Sequence, residues 1–180
     1  MYIHAEQYNM KELATISEKG MDIFPNQVKL FYFNGIANGE LENYKDALAS
    51  LNQASIMAGK NDALKIDIYC RMVKPLVAQG KIDKAQDKIT KALAIDSENF
   101  RTLSAQAFVY AAQKDGAKAE TTFQEALNKG GKDNPEVLED YGDFLAQQGD
   151  NEEANNYWLK AQKAGGKSTR LQNKISNKGL

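Results

Sequence analysis

The sequence predicts an all-α chain built from stacked antiparallel helix pairs, and three observations carry that prediction. A small–large–small triplet at helical spacing recurs with a period of 34 to 38 residues along most of the chain. Turn-forming residues fall between the halves of each period, and helix-capping residues flank them.

The clearest triplet is Ala154, Trp158 and Ala161. The same pattern recurs as Ala119, Phe123, Ala126, as Ala85, Ile89, Ala92, and as Ala47, Leu51, Ala54, with a degraded copy at Leu13, Ser17, Gly20. The first members lie 34, 38, 34 and 35 residues apart. Twelve residues before each full triplet stands a small or compact residue: Gly35, Val73, Ala107 and Gly142. Four residues earlier still comes a large one: Phe31, Tyr69, Leu103 and Leu138. Spacings of three, four and seven put side chains on one helix face. A small residue lets the neighbouring helix approach, and the bulky residue fills the space beside it. Trp158, although surrounded by Asn, Lys and Gln, is therefore expected in the core, because its equivalents are Phe123, Ile89 and Leu51.

In chain order, residues 1–25 read as the end of a partial unit. Full units follow at about 28–61, 66–99, 100–133 and 135–168, and residues 167–180 as a capping helix and tail. Each full unit is two helices joined by a short turn, "NGELEN", "AQGKID", "QKDG" or "QQGDNE". One hairpin cannot bury both its faces, so stacking must supply the core. In "DNPEVLEDYG", Asn134 is an N-cap, Pro135 suits the first helical position, and Glu136 sits near the positive end of the dipole. Gly59, Gly130–Gly131 and Gly165–Gly166 stand where helices end. The 38-residue gap predicts an extra helical turn around "IMAGKND", and Pro75 should remove a hydrogen bond and kink its helix. In "STRLQNKISN", Leu171 and Ile175 would cover the last unit with polar residues outward.

At these residues the chain resembles the tetratricopeptide repeat (TPR) family, whose helix-pair unit repeats at about 34 residues. The stretches "LEDYGDFLAQQGDNEEANNYWLKAQ" and "FYFNGIANGELENYKDALASLNQA" carry the pattern best, and the resemblance covers residues 1 to 166. It implies a right-handed superhelical α-solenoid. Val73 departs from the small residue usual at its position, Gly116 stands where a bulky turn residue is expected, and the array opens partway through a unit. That opening fits a fragment of a longer, bacterial-type multi-repeat protein or a divergent N-terminal cap.

Composition narrows the function classes. The chain has 180 residues, 42% hydrophobic and 26% charged, with 23 basic against 24 acidic side chains. The basic excess of a general nucleic-acid binder is missing. No apolar run reaches the roughly 20 residues that span a bilayer, so direct membrane insertion is not expected; the periplasm and the cytoplasm both remain open. Cys70 and His4 are the single residues of their types. No HExxH, Cys/His cluster or Ser–His–Asp system can be assembled, so no metal, cofactor or catalytic residue is assigned. "AGGKST" lacks the first glycine of a phosphate-binding loop, because Ala161 stands in its place, and "KGGKDN" repeats it one unit earlier as an inter-repeat turn.

The packing stripes leave one face of each first helix unused. These faces carry Lys29, Tyr32, Phe33 and Ile36; Asp67, Cys70, Arg71 and Lys74; Arg101, Ser104, Ala105 and Phe108; and Glu136, Glu139, Asp140 and Asp143. The family resemblance implies that such faces line a concave groove that takes peptides. Repeat packing explains Tyr32, Phe33, Ile36 and Phe108 least. They suit either a partner surface or a face covered by an upstream unit or a second copy. The fourth set is wholly acidic and suits a basic or mixed-charge segment, a solvated face or, less readily on a straight helix, Ca²⁺. Tyr32 and Ile36 occupy positions where chaperone-binding TPRs carry a carboxylate clamp, so that subtype is not implied. The expected function is a non-catalytic scaffold for a protein partner, with self-association through the N-terminal edge, or service as the regulatory arm of a larger enzyme, as alternatives.

Overall fold

The computed structural model describes residues 9–177. His4, the first eight residues of the partial unit and the last three of the tail lie outside the described residues. The chain divides into two compact units, one ending at Ser97 and the other starting at Glu98. The first contains α1 (Met10–Ile23), α2 (Val28–Glu40), α3 (Tyr44–Met57), α4 (Asp62–Ala78) and α5 (Ile82–Leu93). The second contains α6 (Phe100–Ala112), α7 (Gly116–Asn128), a 3-10 turn (Gly131–Asp133), α8 (Pro135–Gln147), α9 (Asn151–Lys163) and α10 (Thr169–Ser176). Among the described residues all regular structure is helical.

The helices pack as pairs, α2 with α3, α4 with α5, α6 with α7, and α8 with α9. Every alanine of the full triplets is fully buried, as are Ile89 and Phe123, with Leu51 at 1% and Trp158 at 3% exposure. The reason for the small residue twelve positions upstream is explicit. A Cβ on Gly35 would lie 2.6 Å from Leu51 Cγ, and one on Gly142 would lie 2.7 Å from the Trp158 ring. Trp158 is thus a core residue, although Asn156, Lys160 and Gln162 beside it are exposed.

The four intra-pair turns share one hydrogen bond. The N–H groups of Asn43, Lys81, Asp115 and Asp150 each donate to the carbonyl five residues back, at 2.9 to 3.0 Å. That closure requires a left-handed residue just before the donor. Gly80 and Gly149 supply it at φ 70° and 89°, but Glu42 and Lys114 adopt it at φ 62° and 65° without being glycine. Gly116, expected as a turn residue, instead opens α7. Helix starts are capped by side chains: Asn61, Asn99, Asp115, Asn134, Asp150 and Ser168 each accept from a backbone N–H of the first turn. Pro135 takes the first helical position of α8.

Two details differ from the sequence reading. The added turn behind the 38-residue gap belongs to α4, which has 17 residues where α2, α6 and α8 have 13. Pro75 lies inside α4 as expected, buried near its C-terminus, and the helix runs on to Ala78. In the paired glycines only Gly130 and Gly165 are left-handed. Gly131 and Gly166 are there for close approach, since a Cβ would lie 2.7 Å from Ala126 O or from Leu171 Cδ2 respectively. Leu171 itself is fully buried, and Ile175 packs beside it against the core of the second unit.

Candidate partner-binding faces

In the first unit, α2 and α4 carry the predicted residues. Lys29 is exposed, and Tyr32, Phe33, Ile36, Asp67, Cys70, Arg71 and Lys74 are half-buried. Tyr32 Oη donates to the Asp67 carboxylate. Arg71 Nε donates to Asp67 Oδ2 at 2.9 Å and to Tyr32 Oη at 3.2 Å, with its guanidinium 5.8 Å from the Tyr32 ring centroid. The structure therefore joins Tyr32, Asp67 and Arg71 into one polar cluster across two helices. Burial pushes the Tyr32 phenol up to about 12; Arg71 opposes that rise and Asp67 adds to it. Phe33 stands tilted against Tyr32, with ring centroids 5.4 Å apart. Held from behind, the aromatic pair offers an ordered apolar surface.

In the second unit, α6 and α8 carry the other two sets. Arg101 pairs with Glu136 at 2.8 Å. Ala105, Phe108 and Asp140 are half-buried, and Ser104 is buried with a hydroxyl that has no hydrogen-bond partner. The acidic set is not an open stripe. Glu139 is buried and accepts from Arg170 Nε at 3.2 Å and Lys174 Nζ at 2.7 Å. Asp143 accepts from Lys174 as well, and from Trp158 Nε1 at 2.9 Å. Helix α10 thus lays a cationic edge on carboxylates that sequence reasoning reserved for a partner. The described residues hold no group of three or more His, Cys, Asp or Glu suited to a metal ion.

One regularity recurs within both units. Tyr32 with Asp67, Arg101 with Glu136, and Glu139 with Lys174 are each pairs separated by 35 residues. Arg101 on α6 meets its repeat equivalent on α8, and Glu139 on α8 meets Lys174 of α10, which takes the place of a further first helix; in the first unit, where the repeat is 38 residues, Tyr32 reaches one turn short of its own equivalent, Cys70. Part of each face is thereby consumed in holding neighbouring helices together.

Sequence reasoning missed a polar network in the first unit. Asn34 donates to Ala14 O and Ser17 Oγ and accepts from Asn38 Nδ2 and Ser50 Oγ, so its amide is fully satisfied. Asn38 in turn accepts from Asn43. The network floors an open cleft of about 500 Å³ between α1 and α3, edged by Lys11, Glu18 and Asp46. The available signal was two asparagines four residues apart inside an apolar helix. No described helix is long and apolar enough to cross a membrane.

Residues 76–139 match the tetratricopeptide repeat family. No curated protein matches the sequence. Among solved structures, a thermophilic TPR protein of Thermus thermophilus superposes with a TM-score of 0.70 at 18% identity, covering 94% of this chain and 90% of that one. The Cut9 and Hcn1 hetero-tetramer structure of APC/C gives 0.65 at 14% identity, covering 94% of this chain and 33% of that one. YrrB, described as a TPR protein with an unusual peptide-binding site, gives 0.51 at 14% identity over 93% of this chain and 84% of its own. The fold is that of the TPR proteins it superposes on, and residues 76–139 are similar to the tetratricopeptide repeat family.

Proposed function

We propose that this tetratricopeptide-repeat chain is a non-catalytic protein-interaction scaffold, and that the α2–α4 face of its first unit receives an extended or short helical segment of a partner protein. The observation that carries this reading is the half-exposed apolar pair Phe33 and Ile36 next to a Tyr32 ring locked by Asp67 and Arg71. Preorganised aromatic surface is what peptide grooves offer their anchors. Lys29, Asp67, Arg71 and Lys74 share the face, so the segment that suits it sets polar or charged residues beside its apolar anchors. The peptide-binding description of YrrB, a protein of the same fold, agrees with this assignment.

In the second unit the acidic residues are a weaker basis for partner binding, since Glu139 and Asp143 already face Arg170 and Lys174. Arg101, Ser104, Ala105, Phe108, Glu136 and Asp140 complete the proposed partner surface of that unit, with Phe108 its apolar anchor.

The test is selection of short peptides from a random display library on the intact chain, followed by titration against Phe33→Ala/Ile36→Ala. Removing a true apolar anchor should weaken binding roughly tenfold or more, with the far-ultraviolet circular dichroism unchanged. Selected peptides that bind both proteins equally would remove the first-unit face from consideration. Tyr32 is kept intact in this variant because its hydroxyl also holds α2 to α4.

A further inference from the structure

Three of the five large apolar side chains that stand exposed among the described residues belong to α1 or its C-cap: Ile16 at 52%, Ile23 at 68% and Phe24 at 57%. The inner side of α1 is well seated. Ser17 bonds with Asn34, and Gly20 lets Leu30 approach to where a Cβ would lie 2.9 Å away. The adjoining exposed side carries Glu12, Ile16, Lys19 and Ile23, at spacings of four, three and four, which is one narrow stripe. All four are exposed, and neither Glu12 nor Lys19 forms an ion pair with another described residue.

This stripe is complementary to itself when one copy is turned end for end. Glu12 and Lys19 lie seven residues apart, about 10 Å along the helix. With a two-fold axis beside Ile16, Glu12 of each copy meets Lys19 of the other, and the two Ile16 side chains meet at the axis. Lys11 and Asp22, on the flank of the same helix, fall opposite each other in the same sense. A parallel arrangement would instead set Glu12 on Glu12 and Lys19 on Lys19. We infer that the outer face of α1 pairs with the same face of a second copy, forming an antiparallel isologous dimer. Two isoleucines and the neighbouring Phe24 make a small apolar patch for a stable interface, so the association is weak and its orientation is set by charge.

The inference does not rest on the peptide face, whose residues lie on α2 and α4, so either can fail alone. Sedimentation equilibrium of the full chain, from micromolar to near-millimolar concentration, should show monomers giving way to dimers. Ile16→Glu should raise the dissociation constant at least tenfold. Glu12→Lys and Lys19→Glu each place like charges together twice and should each weaken pairing roughly tenfold. An equal mixture of those two variants should pair again, because each supplies the charge the other lacks. All three positions are exposed, so circular dichroism should stay unchanged. A wild type that remains monomeric throughout, an Ile16→Glu variant that pairs as well as wild type, or a mixture that stays monomeric would each overturn the inference and leave α1 to be covered by a different protein surface.

Discussion

Gly35 and Gly39 lie one turn apart on α2 and should respond oppositely to alanine. A Cβ on Gly35 would stand 2.6 Å from Leu51 Cγ, 2.8 Å from its Cδ2 and 3.3 Å from Ala47 O, whereas a Cβ on Gly39 meets nothing within 4 Å. Neither glycine has a positive φ, so alanine gains up to about 1 kcal/mol of helix propensity at either site. At Gly39, next to the helix end, that gain is all that changes, and Gly39→Ala should be stabilising by about 0.5 kcal/mol or more. At Gly35 the added methyl forces α2 and α3 apart or Leu51 off its rotamer, at about 1–3 kcal/mol. Propensity nearly cancels in the comparison, so the two variants should differ by about 1–3 kcal/mol, and the difference measures the clash alone. Urea unfolding followed by far-ultraviolet circular dichroism reads it. Because Leu51 is the obstacle, Gly35→Ala combined with Leu51→Val should lose less than the sum of the single losses, a coupling expected of touching residues. If Gly35→Ala proves as stable as Gly39→Ala, the argument that small residues admit the neighbouring helix is wrong.

Lys174→Ala removes the cation that Glu139 and Asp143 share, and it takes from the buried Glu139 the shorter of its two ion pairs. The loss should cost the second unit about 1–3 kcal/mol, between the values for exposed and buried pairs; unfolding followed by Trp158 fluorescence checks this, and an unchanged midpoint would mean that α10 is not held by charge. Lys114→Gly should stabilise by about 1 kcal/mol, because the backbone there is left-handed and the side chain exposed; thermal melting checks the sign. Burial keeps the Tyr32 phenol protonated up to about 12 against an ordinary 10.0, so the unfolded chain ionises first. The stability this contributes is complete below pH 10.0 and is lost as pH rises toward about 12. In an alkaline absorbance titration of the folded chain, Tyr32→Phe should delete a late-ionising phenol; loss of one titrating at the ordinary value would contradict the burial argument.

Much of the core could be read from the order of residues because it rests on side-chain size at fixed spacing. Ala154, Trp158 and Ala161 have meaning as a set that recurs, and burial follows from the set even where the neighbours are polar. Turn geometry was half legible. Gly80 and Gly149 announce a left-handed residue, but Glu42 and Lys114 hide one, since the closing hydrogen bond comes from backbone that any sequence shares. The candidate faces were legible as groups of residues on one helix side, and their internal pairing was not. Nothing local to Glu139 says that Lys174, 35 residues on, will cover it. That requires knowing that a short C-terminal helix takes the place of a further first helix. The Asn34–Asn38 network escaped for the related reason that its partners, Ser17 and Ser50, come from two other helices.

The tooth-and-notch fit between paired helices also constrains how such a chain can diverge. Gly35 with Leu51, Val73 with Ile89, Ala107 with Phe123, and Gly142 with Trp158 all stand sixteen residues apart, and at Gly35 and Gly142 the large residue fills the space that the small one leaves. A larger residue on either side must be met by a smaller one opposite. Substitutions at these positions should therefore travel in couples through any lineage, so that the sum of the two volumes drifts far less than either volume does.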